Sequence, residues 1–379
     1  MAAGAAHGVA EAGVTSAPVR VLCLSTYPVS AAATRFRLVQ FFEPLRAMGI
    51  ECTLSAFLSE SAFADLYMRR RRVQKALTLG ARAVSRVLEA IPARSYDVVL
   101  VQRNAMLFGP PILEGLIARF ARRPLVYDFD DAIWLHDESP TWGWLARVAR
   151  SRDATAQLIR IARHVIACNG YTRDYALRFR DTADVSVIPT VVDTDVYRPA
   201  ERPAAPILTV GWIGTHSTAK YLEDIRGPLE AVARKVPFRL KVIGAGRHMP
   251  FDGIDTEERT WSLASEVADY QSLDVGLYPV REDEWGQGKT GFKPVVYMST
   301  GSVCLAAPVG GVTEFIRDGV NGAFARTPSE WADRLELLLT DAVLRRRLAD
   351  AGRRTVVEGY SLAAQAPRLA EILRGVAGT

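Results

Sequence analysis

Short apolar runs alternate with helix-length segments along almost the whole chain. In the first half, six runs have the length and composition of buried strands, at residues 19–25, 51–57, 96–102, 124–129, 164–169 and 185–190. This alternation is typical of βαβ units, which build parallel sheets covered by helices on both faces. We therefore predict an α/β fold of the doubly wound, Rossmann-like type.

One proline-rich stretch divides the chain into two such regions. Residues 192–206 contain three prolines among mostly polar neighbours, and apolar runs resume afterwards at 207–214, 238–244, 274–280 and 302–308. The chain has 379 residues, and a single hydrophobic core stops growing at roughly 250–300 residues. We predict the following organisation: a flexible tail at 1–18, an acceptor domain at 19–195, a linker at 196–206, a donor domain at 207–358, and a C-terminal helix at 359–379 that packs back toward the first domain.

Composition excludes several classes of protein. Hydrophobic residues make up 49% and charged residues 23%, which is the balance of a folded, water-soluble chain. No apolar run reaches the roughly 18 residues of a membrane span. The four cysteines, Cys23, Cys52, Cys168 and Cys304, show no metal-ligand spacing, which favours thiols in a reducing cytoplasm. The net charge of +5 suits an anionic ligand, and no RNA-binding signature is present.

Ligands of open parallel sheets bind beyond the carboxyl ends of the strands, so two such domains place a site in the cleft between them. One loop at such a strand end contains Gly214, Thr215, His216 and Ser217 ahead of a predicted helix. Backbone N–H groups at a helix start attract anions, and glycine permits close approach of a phosphate. The hydroxyl groups of this loop are equally compatible with simple helix capping.

A second loop, GQGKTGFKPVVYMSTG at residues 286–301, combines four glycines with Lys289 and Lys293. Pro294 suits the first turn of a helix, and Gly301 suits its end. The two ammonium groups would add full charges to the partial positive charge of the helix start. We interpret this loop as a diphosphate clamp, with two solvated surface lysines as the alternative. A third strand end carries Gly310, Gly311 and Glu314, where Glu314 is also a suitable residue for a first helical turn.

These segments together resemble a known family. The order YQSLDVGLYPVREDEWGQGKTGFKPVVYMSTG, followed by PVGGVTEFIRDGVNG, is similar to the donor half of retaining glycosyltransferases of family 4, which have the GT-B fold. In the first half, LSTYPVSAAATRFR resembles the first-strand loop of a subgroup of this family. LVYDFDDAIW resembles the acidic loop of the same subgroup. The resemblance spans most of the chain.

The resemblance implies transfer of a sugar from a nucleoside diphosphate sugar to an acceptor hydroxyl, with retention of configuration and without a metal or other cofactor. The acceptor would be a small molecule, a saccharide or a lipid-linked saccharide, in glycan or natural-product biosynthesis. Three groups of residues follow from it. The catalytic residues are Asp130, Lys289 and Lys293. The donor-binding residues are Gly214, Thr215, His216, Ser217, Glu282, Glu284, Phe292, Gly310, Gly311 and Glu314. The acceptor-binding residues are Arg35, Arg37, Arg103 and Asp131.

Two positions depart from the pattern of the family. Its members commonly have two glutamates with seven residues between them, and the corresponding positions here are Gly288 and Val296. The second glutamate usually holds the ribose, so we expect Glu282 or Glu284 to take that role. The departures also leave two alternatives open: an epimerase acting on the nucleotide sugar, with His136 and His216 as candidate residues, and a catalytically impaired scaffold subunit.

The DFDDA segment has more than one interpretation. Asp128 and Asp130 point to the same side of a strand, so they could form a metal-binding pair as in GT-A glycosyltransferases. In a GT-B enzyme the same loop would face the cleft, and Asp130 would contact the transferred sugar or the acceptor. A helix-capping role for Asp131 is the third interpretation.

A predicted helix at 66–91 is amphipathic, with apolar residues on one face and Arg71, Lys75, Arg82 and Arg86 on the opposite one. We expect the apolar face to pack on the core and the basic ridge to be solvated. Docking of that ridge to the anionic inner face of the membrane is the sharper hypothesis, which would make the protein peripherally associated.

Overall fold

The computed structural model describes residues 17–65, 72–107, 109–135, 153–201 and 206–378, with side chains undescribed at 72–78. Two six-stranded sheets are present in these residues, and every strand pair in them is parallel. This arrangement confirms the predicted fold class of two Rossmann-like domains.

The first sheet has the strand order β2-β1-β3-β4-β5-β6. Its strands are β1 (Val19–Ser25), β2 (Ile50–Ala56), β3 (Val98–Gln102), β4 (Leu125–Phe129), β5 (His164–Ala167) and β6 (Val185–Val187). The described α-helices around it are Ala32–Arg37, Phe42–Ala47, Glu60–Asp65, Arg72–Leu88, Ile112–Leu116, Ala154–Ile161 and Gly170–Ala176. Short 3₁₀ turns lie at Val39–Phe41, Pro92–Ser95 and Thr182–Asp184, and a π-helical turn at Ile117–Ala121.

The second sheet has the order β12-β11-β10-β7-β8-β9. Its strands are β7 (Thr209–Ile213), β8 (Arg239–Ile243), β9 (Asp255–Arg259), β10 (Val275–Tyr278), β11 (Val303–Ala306) and β12 (Ala323–Phe324). The α-helices are Ala219–Asp224, Arg226–Ala233, Glu266–Gln271, Glu284–Gln287, Phe292–Ser299, Pro328–Thr340, Ala342–Gly359 and Leu362–Ala377, and Gly310–Glu314 is a 3₁₀ turn. In each sheet the first strand along the chain has neighbours on both sides, so β1 and β7 mark the switch points where ligands of such sheets bind.

Successive strand residues point to opposite faces of a sheet, and the first sheet has an apolar cluster on each face. In β1, Val21 and Cys23 join one apolar cluster, whereas Leu22 and Leu24 join the cluster on the other face. The helix Leu362–Ala377 packs into the first of these clusters, although it follows the second domain in sequence. The chain therefore crosses back to the first domain at its end.

The helix Arg72–Leu88 contradicts one sequence-based expectation. Arg86, predicted to belong to a solvated basic ridge, is only 2% exposed, whereas Val84 and Leu88 of the predicted core-facing stripe are 66% and 60% exposed. Arg82 is exposed as expected, and the side chains of Arg71 and Lys75 lie outside the described part of the chain. The prediction that this apolar stripe faces the core was wrong, because interior carbonyl and carboxylate groups hold Arg86.

All four cysteines are free, and Cys23, Cys168 and Cys304 are buried. Among the described residues, no helix combines the length and hydropathy needed to cross a bilayer.

Candidate active site

The loops at the carboxyl ends of the two sheets contact one another across the cleft. The rings of Phe36 and Phe292 lie 4.4 Å apart between centroids. The Arg35 guanidinium donates to Glu266 Oε2 at 2.9 Å, and the Lys289 ammonium lies 3.5 Å from Asp131 Oδ2. The acidic loop of the first domain and the lysine loop of the second therefore form opposite walls of one site.

Asp128, at the end of β4, serves the interior of the first domain. It is 3% exposed, and its carboxylate accepts two hydrogen bonds from the buried Arg37 guanidinium, one of them 3.1 Å from Nε to Oδ2. Arg37 also donates to the Ile188 carbonyl at 2.8 Å. Burial raises the pKa of Asp128, and the opposing charge of Arg37 only partly offsets this effect. These bonds give Arg37, a predicted acceptor ligand, a structural role beneath the site.

Asp130 and Asp131 are held together by Arg103. Nε of Arg103 donates to Asp130, and Nη2 donates to Asp131 Oδ2 at 3.1 Å. Burial acts to raise the pKa of Asp130, but the charge of Arg103 outweighs it and holds that pKa below its ordinary value. Arg103 adopts φ of +59°, a left-handed conformation that is uncommon for residues other than glycine. Strain of this kind is concentrated at functional sites.

The two lysines of the second domain differ in their partners. Lys289 Nζ lies near Asp131 and 4.5 Å from the centroid of the Trp285 ring. Lys293 is half-buried, and we find no hydrogen bond or ion pair to its ammonium within the described residues. Burial and the neighbouring charge of Lys289 lower the pKa of Lys293 to about 8. The charges of Asp131 and Glu266 favour the protonated lysine but do not outweigh its burial. A cation that is costly to bury and has no directly bonded anion indicates a place where a ligand supplies the negative charge.

The glycines of the lysine loop allow backbone to approach backbone. A Cβ on Gly310 would lie 2.5 Å from the Gly286 carbonyl oxygen, and one on Gly311 would lie 2.6 Å from that of Thr290. Gly311 N also donates to the Lys289 carbonyl at 2.8 Å. The Gly310–Gly311 pair thus packs against the lysine loop and fixes its shape.

Gly288 contacts the other domain, which accounts for the absence of a side chain there. A Cβ at this position would lie 2.3 Å from Ala132 Cβ, in the acidic loop. Val296 is fully buried in the core of the second domain. A glutamate at either position would bury a charge or separate the cleft walls, so neither is available for binding ribose in this arrangement.

We expect Gly288→Ala to lower the rate of the sugar transfer that the resemblance implies at least about tenfold, because the added methyl group holds the two walls apart. The melting temperature should change little, since the contact lies between domains. Kinetics and thermal melting of purified variants would measure both effects. Gly227→Ala is the matched control, since a Cβ on Gly227 meets nothing within 4 Å. Equal rates for Gly288→Ala and Gly227→Ala would contradict the close approach of Gly288 to Ala132.

The loop after β7 turns at Gly214, as the sequence predicted. The ring of Trp212, which the sequence did not indicate as a neighbour, packs against this glycine. A Cβ on Gly214 would lie 2.1 Å from the Trp212 ring. Thr215 N donates to Thr218 Oγ1 at 3.0 Å, and Thr215, His216 and Ser217 are exposed toward the cleft side of the strand end. Gly244 also lies against this loop, because its Cβ would lie 2.4 Å from the Gly214 carbonyl oxygen.

Several predicted ligand-binding residues are engaged between the domains. Glu314 Oε1 accepts from Gly170 N at 2.6 Å, at the start of a helix in the first domain. Phe292 packs on Phe36, and Arg35 binds Glu266. Glu282 and Glu284 are exposed, and the structure does not place their carboxylates beside Lys289 or Lys293.

Sequence reasoning missed two residues of the cleft. Glu266 is 6% exposed, and its carboxylate accepts from Arg35, from the Tyr197 hydroxyl and from Trp261 Nε1, the last at 2.8 Å. Asn169 Nδ2 donates to the Lys289 carbonyl at 3.2 Å. No local pattern distinguishes either residue from an ordinary helix start, so only the fold reveals them.

Solved structures share this architecture. HepE from Anabaena, solved in complex with UDP and glucose, superimposes with a TM-score of 0.66 at 17% identity, covering 94% of this chain and 100% of that one. Sucrose-phosphate synthase from Thermosynechococcus elongatus gives a TM-score of 0.68 at 15% identity, covering 94% and 99%. The fold and the facing loops therefore define a protein of the GT-B class.

Sequence comparison finds a glycosyltransferase model in each half of the chain. Residues 37–196 match the model described as Glycosyltransferase Family 4, and residues 207–341 match that described as Glycosyl transferases group 1. Together the two matches span most of the chain.

Curated relatives agree with this assignment. The D-inositol 3-phosphate glycosyltransferase of Nocardia farcinica is 27% identical over 256 residues, or 59% of this chain and 52% of that protein. Its counterpart from Nocardioides is 25% identical over 312 residues, or 72% and 66%. The chain thus matches about half to two thirds of the length of these relatives. Their descriptions do not favour the epimerase alternative.

Proposed function

We propose that the protein transfers a hexosyl group from a nucleoside diphosphate sugar to an acceptor hydroxyl, with retention of configuration. The observation that carries this proposal is Lys293, a half-buried cation for which we find no hydrogen bond or ion pair in the described cleft, and whose burial the charges of Asp131 and Glu266 do not offset. In the reaction, the bond from the anomeric carbon to the diphosphate oxygen breaks while the acceptor oxygen bonds to that carbon, and the acceptor hydroxyl gives its proton to the leaving diphosphate. The leaving diphosphate gains negative charge, which Lys293 and Lys289 are placed to stabilise.

The arrangement of the acidic loop supports retention. Asp130 and Asp131 are both paired with Arg103, so neither is a free, strong base for activating an acceptor. A reaction that is accelerated mainly by stabilising the leaving group depends less on a general base. In this proposal Asp130 contacts the transferred sugar or the acceptor as a hydrogen-bond acceptor, positioned by Arg103.

The same pairing supports metal independence. Asp128 binds Arg37, Asp130 and Asp131 bind Arg103, and Asp131 also lies 3.5 Å from Lys289, so three cations already balance the three carboxylates that would attract a divalent cation. Among the described residues, no group of three or more histidine, cysteine or acidic residues is placed to hold a metal ion. We propose that lysine supplies the positive charge instead, and that activity persists in excess chelator.

The donor is supported by a structural relative, since HepE was solved with UDP and glucose. We propose a UDP-sugar as the first donor to test, and a saccharide, a lipid-linked saccharide or a small molecule as the acceptor. The free cysteines support a reducing compartment, and we propose the cytoplasm.

A panel of UDP-, GDP-, ADP- and dTDP-sugars, scored by thermal stabilisation and by release of nucleoside diphosphate, tests the function. One of them should raise the melting temperature, since a ligand at about 100 times its Kd adds about 2.7 kcal/mol to the free energy of unfolding. Lys289→Ala should weaken that effect. Failure of every nucleotide to stabilise the protein would reject the donor site, and stabilisation without turnover would favour the scaffold alternative.

A further inference from the structure

An apolar stripe lies on the outside of the first domain. Val84, Leu88 and Ile91 are 66%, 60% and 68% exposed, respectively, on the helix Arg72–Leu88 and the turn that follows it. At 100° per residue these three positions fall on one side of a helix. Large aliphatic side chains at such exposure are unusual when several are adjacent on one element.

The orientation of this helix is fixed by its buried arginine. Arg86 donates to the carbonyl oxygens of Ser25 at 3.1 Å, Ser55 at 2.7 Å and Ala105 at 3.0 Å, and it pairs with Glu89 at 2.7 Å. A buried guanidinium with these partners cannot turn outward without leaving several polar groups unpaired. The apolar stripe is therefore held outward by the fold.

A turn with another exposed apolar residue is joined to the segment that follows this helix. Phe120 is 60% exposed, and its carbonyl accepts from Arg94 Nη2 at 3.2 Å. Arg123 in turn donates to the Arg94 carbonyl at 2.8 Å, which joins this turn to the segment after Ile91. We call the surface formed by the exposed apolar residues the Leu88 face. Its apolar members are Val84, Leu88, Ile91 and Phe120.

Exposed arginines flank the Leu88 face, and the acidic residues in the same part of the chain are paired, hydrogen-bonded or buried. Exposed arginines occur at positions 94, 119 and 122, in the segment after Ile91 and in the turn that is hydrogen-bonded to it. The described chain from 79 to 124 contains the acidic residues Glu89, Asp97 and Glu114. Glu89 pairs with Arg86, Asp97 accepts from Arg20 N at 2.8 Å, and Glu114 is 1% exposed. The surface is thus apolar at its centre and cationic at its edge.

We propose that the Leu88 face docks on the surface of an anionic phospholipid bilayer. Apolar side chains insert at the boundary between headgroups and acyl chains, while flanking arginines bind the anionic headgroups. A second copy of the chain is a poorer partner, because a two-fold contact would place these arginines opposite one another. The Leu88 face differs in its residues from the basic ridge predicted from the sequence. Arg86 of that ridge is interior, and aliphatic side chains make the main contact with the bilayer.

This docking would also orient the enzyme. Arg86 reaches Ser25, the last residue of β1, and Ser55, near the end of β2, so the helix lies beside the carboxyl ends of these strands. The cleft loops leave the sheet at the same end. The docked protein would therefore hold its acceptor side next to the bilayer.

Sedimentation with vesicles tests the proposal with the full-length protein. We expect binding to vesicles of phosphatidylcholine containing roughly 30% phosphatidylglycerol, weaker binding to pure phosphatidylcholine, and weakening with salt. Leu88→Glu with Ile91→Glu should reduce the partition coefficient at least about tenfold. Val320→Glu with Val343→Glu, which alters two exposed valines of the second domain, is the matched control and should stay within about twofold of wild type. Arg119→Gln with Arg122→Gln should reduce binding to anionic vesicles only.

Three outcomes would overturn the proposal: no binding of wild type to anionic vesicles, equal binding by the Leu88→Glu/Ile91→Glu variant, or a concentration-dependent dimer that this variant abolishes without any vesicle binding. Nucleotide-induced thermal stabilisation of the same variant provides the fold control. It also separates the two proposals, because donor binding does not involve the Leu88 face.

Discussion

Lys293→Met is expected to lower kcat/KM by about 10²- to 10³-fold, the range found when one donor that stabilises a developing anion is removed. Methionine approximates the length and shape of lysine without its charge, so the change isolates the ammonium group. The effect should appear mainly in kcat, because the diphosphate becomes more negative as it leaves.

The same substitution should not destabilise the free protein. The folded-state pKa of Lys293 is about 8, lowered by burial and Lys289 from the ordinary lysine value. A cation whose pKa is lowered by folding opposes folding when it is protonated, and this cost is fully present below about pH 8. Removing the charge should therefore leave the melting temperature equal or higher at pH 7. Lys235→Met, at an exposed lysine paired with Glu336, is the control and should retain wild-type kinetics. A Lys293→Met enzyme with wild-type kcat/KM would remove this lysine from the mechanism.

Arg37→Met is expected to lower the free energy of unfolding by about 3–5 kcal/mol, since it leaves the buried carboxylate of Asp128 without its cation. Urea denaturation at pH 7 measures this loss. The double variant Arg37→Met with Asp128→Leu should recover most of it, because no buried charge then remains. A loss below about 1 kcal/mol, or a double variant no more stable than the single one, would contradict the structural role of this pair.

The sequence predicted the strands well where they are apolar and buried. Ten apolar runs correspond to ten of the strands, including β1, predicted at 19–25 and observed at Val19–Ser25. The strand β9 (Asp255–Arg259) was missed because its sequence, DTEER, is charged and partly exposed at the edge of the sheet. Edge strands need not carry the apolar pattern on which such predictions depend.

Interactions of charged side chains were predicted less well. Arg37 and Arg86 were assigned to ligand and solvent, yet both are buried with carbonyl or carboxylate partners that are distant in sequence. Periodicity assumes that arginine prefers water, and it cannot detect partners supplied by other elements. For the same reason it placed the stripe of Val84 and Leu88 against the core.

The sequence predicted which loops form the site, but not the contacts between them. The acidic and lysine loops do meet, but through Asp131 with Lys289 and through Ala132 with Gly288. Nothing within one half of the sequence indicates these two contacts, because they depend on how the two domains approach each other. The assignments of individual donor and acceptor ligands stay predictions.

Calorimetry of nucleoside diphosphate binding at pH 8 tests the central claim most directly. A diphosphate beside Lys293 raises the pKa of this lysine from about 8, so binding should take up about half a proton at that pH. The observed enthalpy should therefore depend on the ionisation enthalpy of the buffer, and affinity should fall as the pH rises above 8. Using UDP first, we predict this buffer dependence for wild type and its absence for Lys293→Met. Binding of a nucleoside diphosphate to both proteins with equal affinity and no proton uptake would contradict a diphosphate site at Lys293.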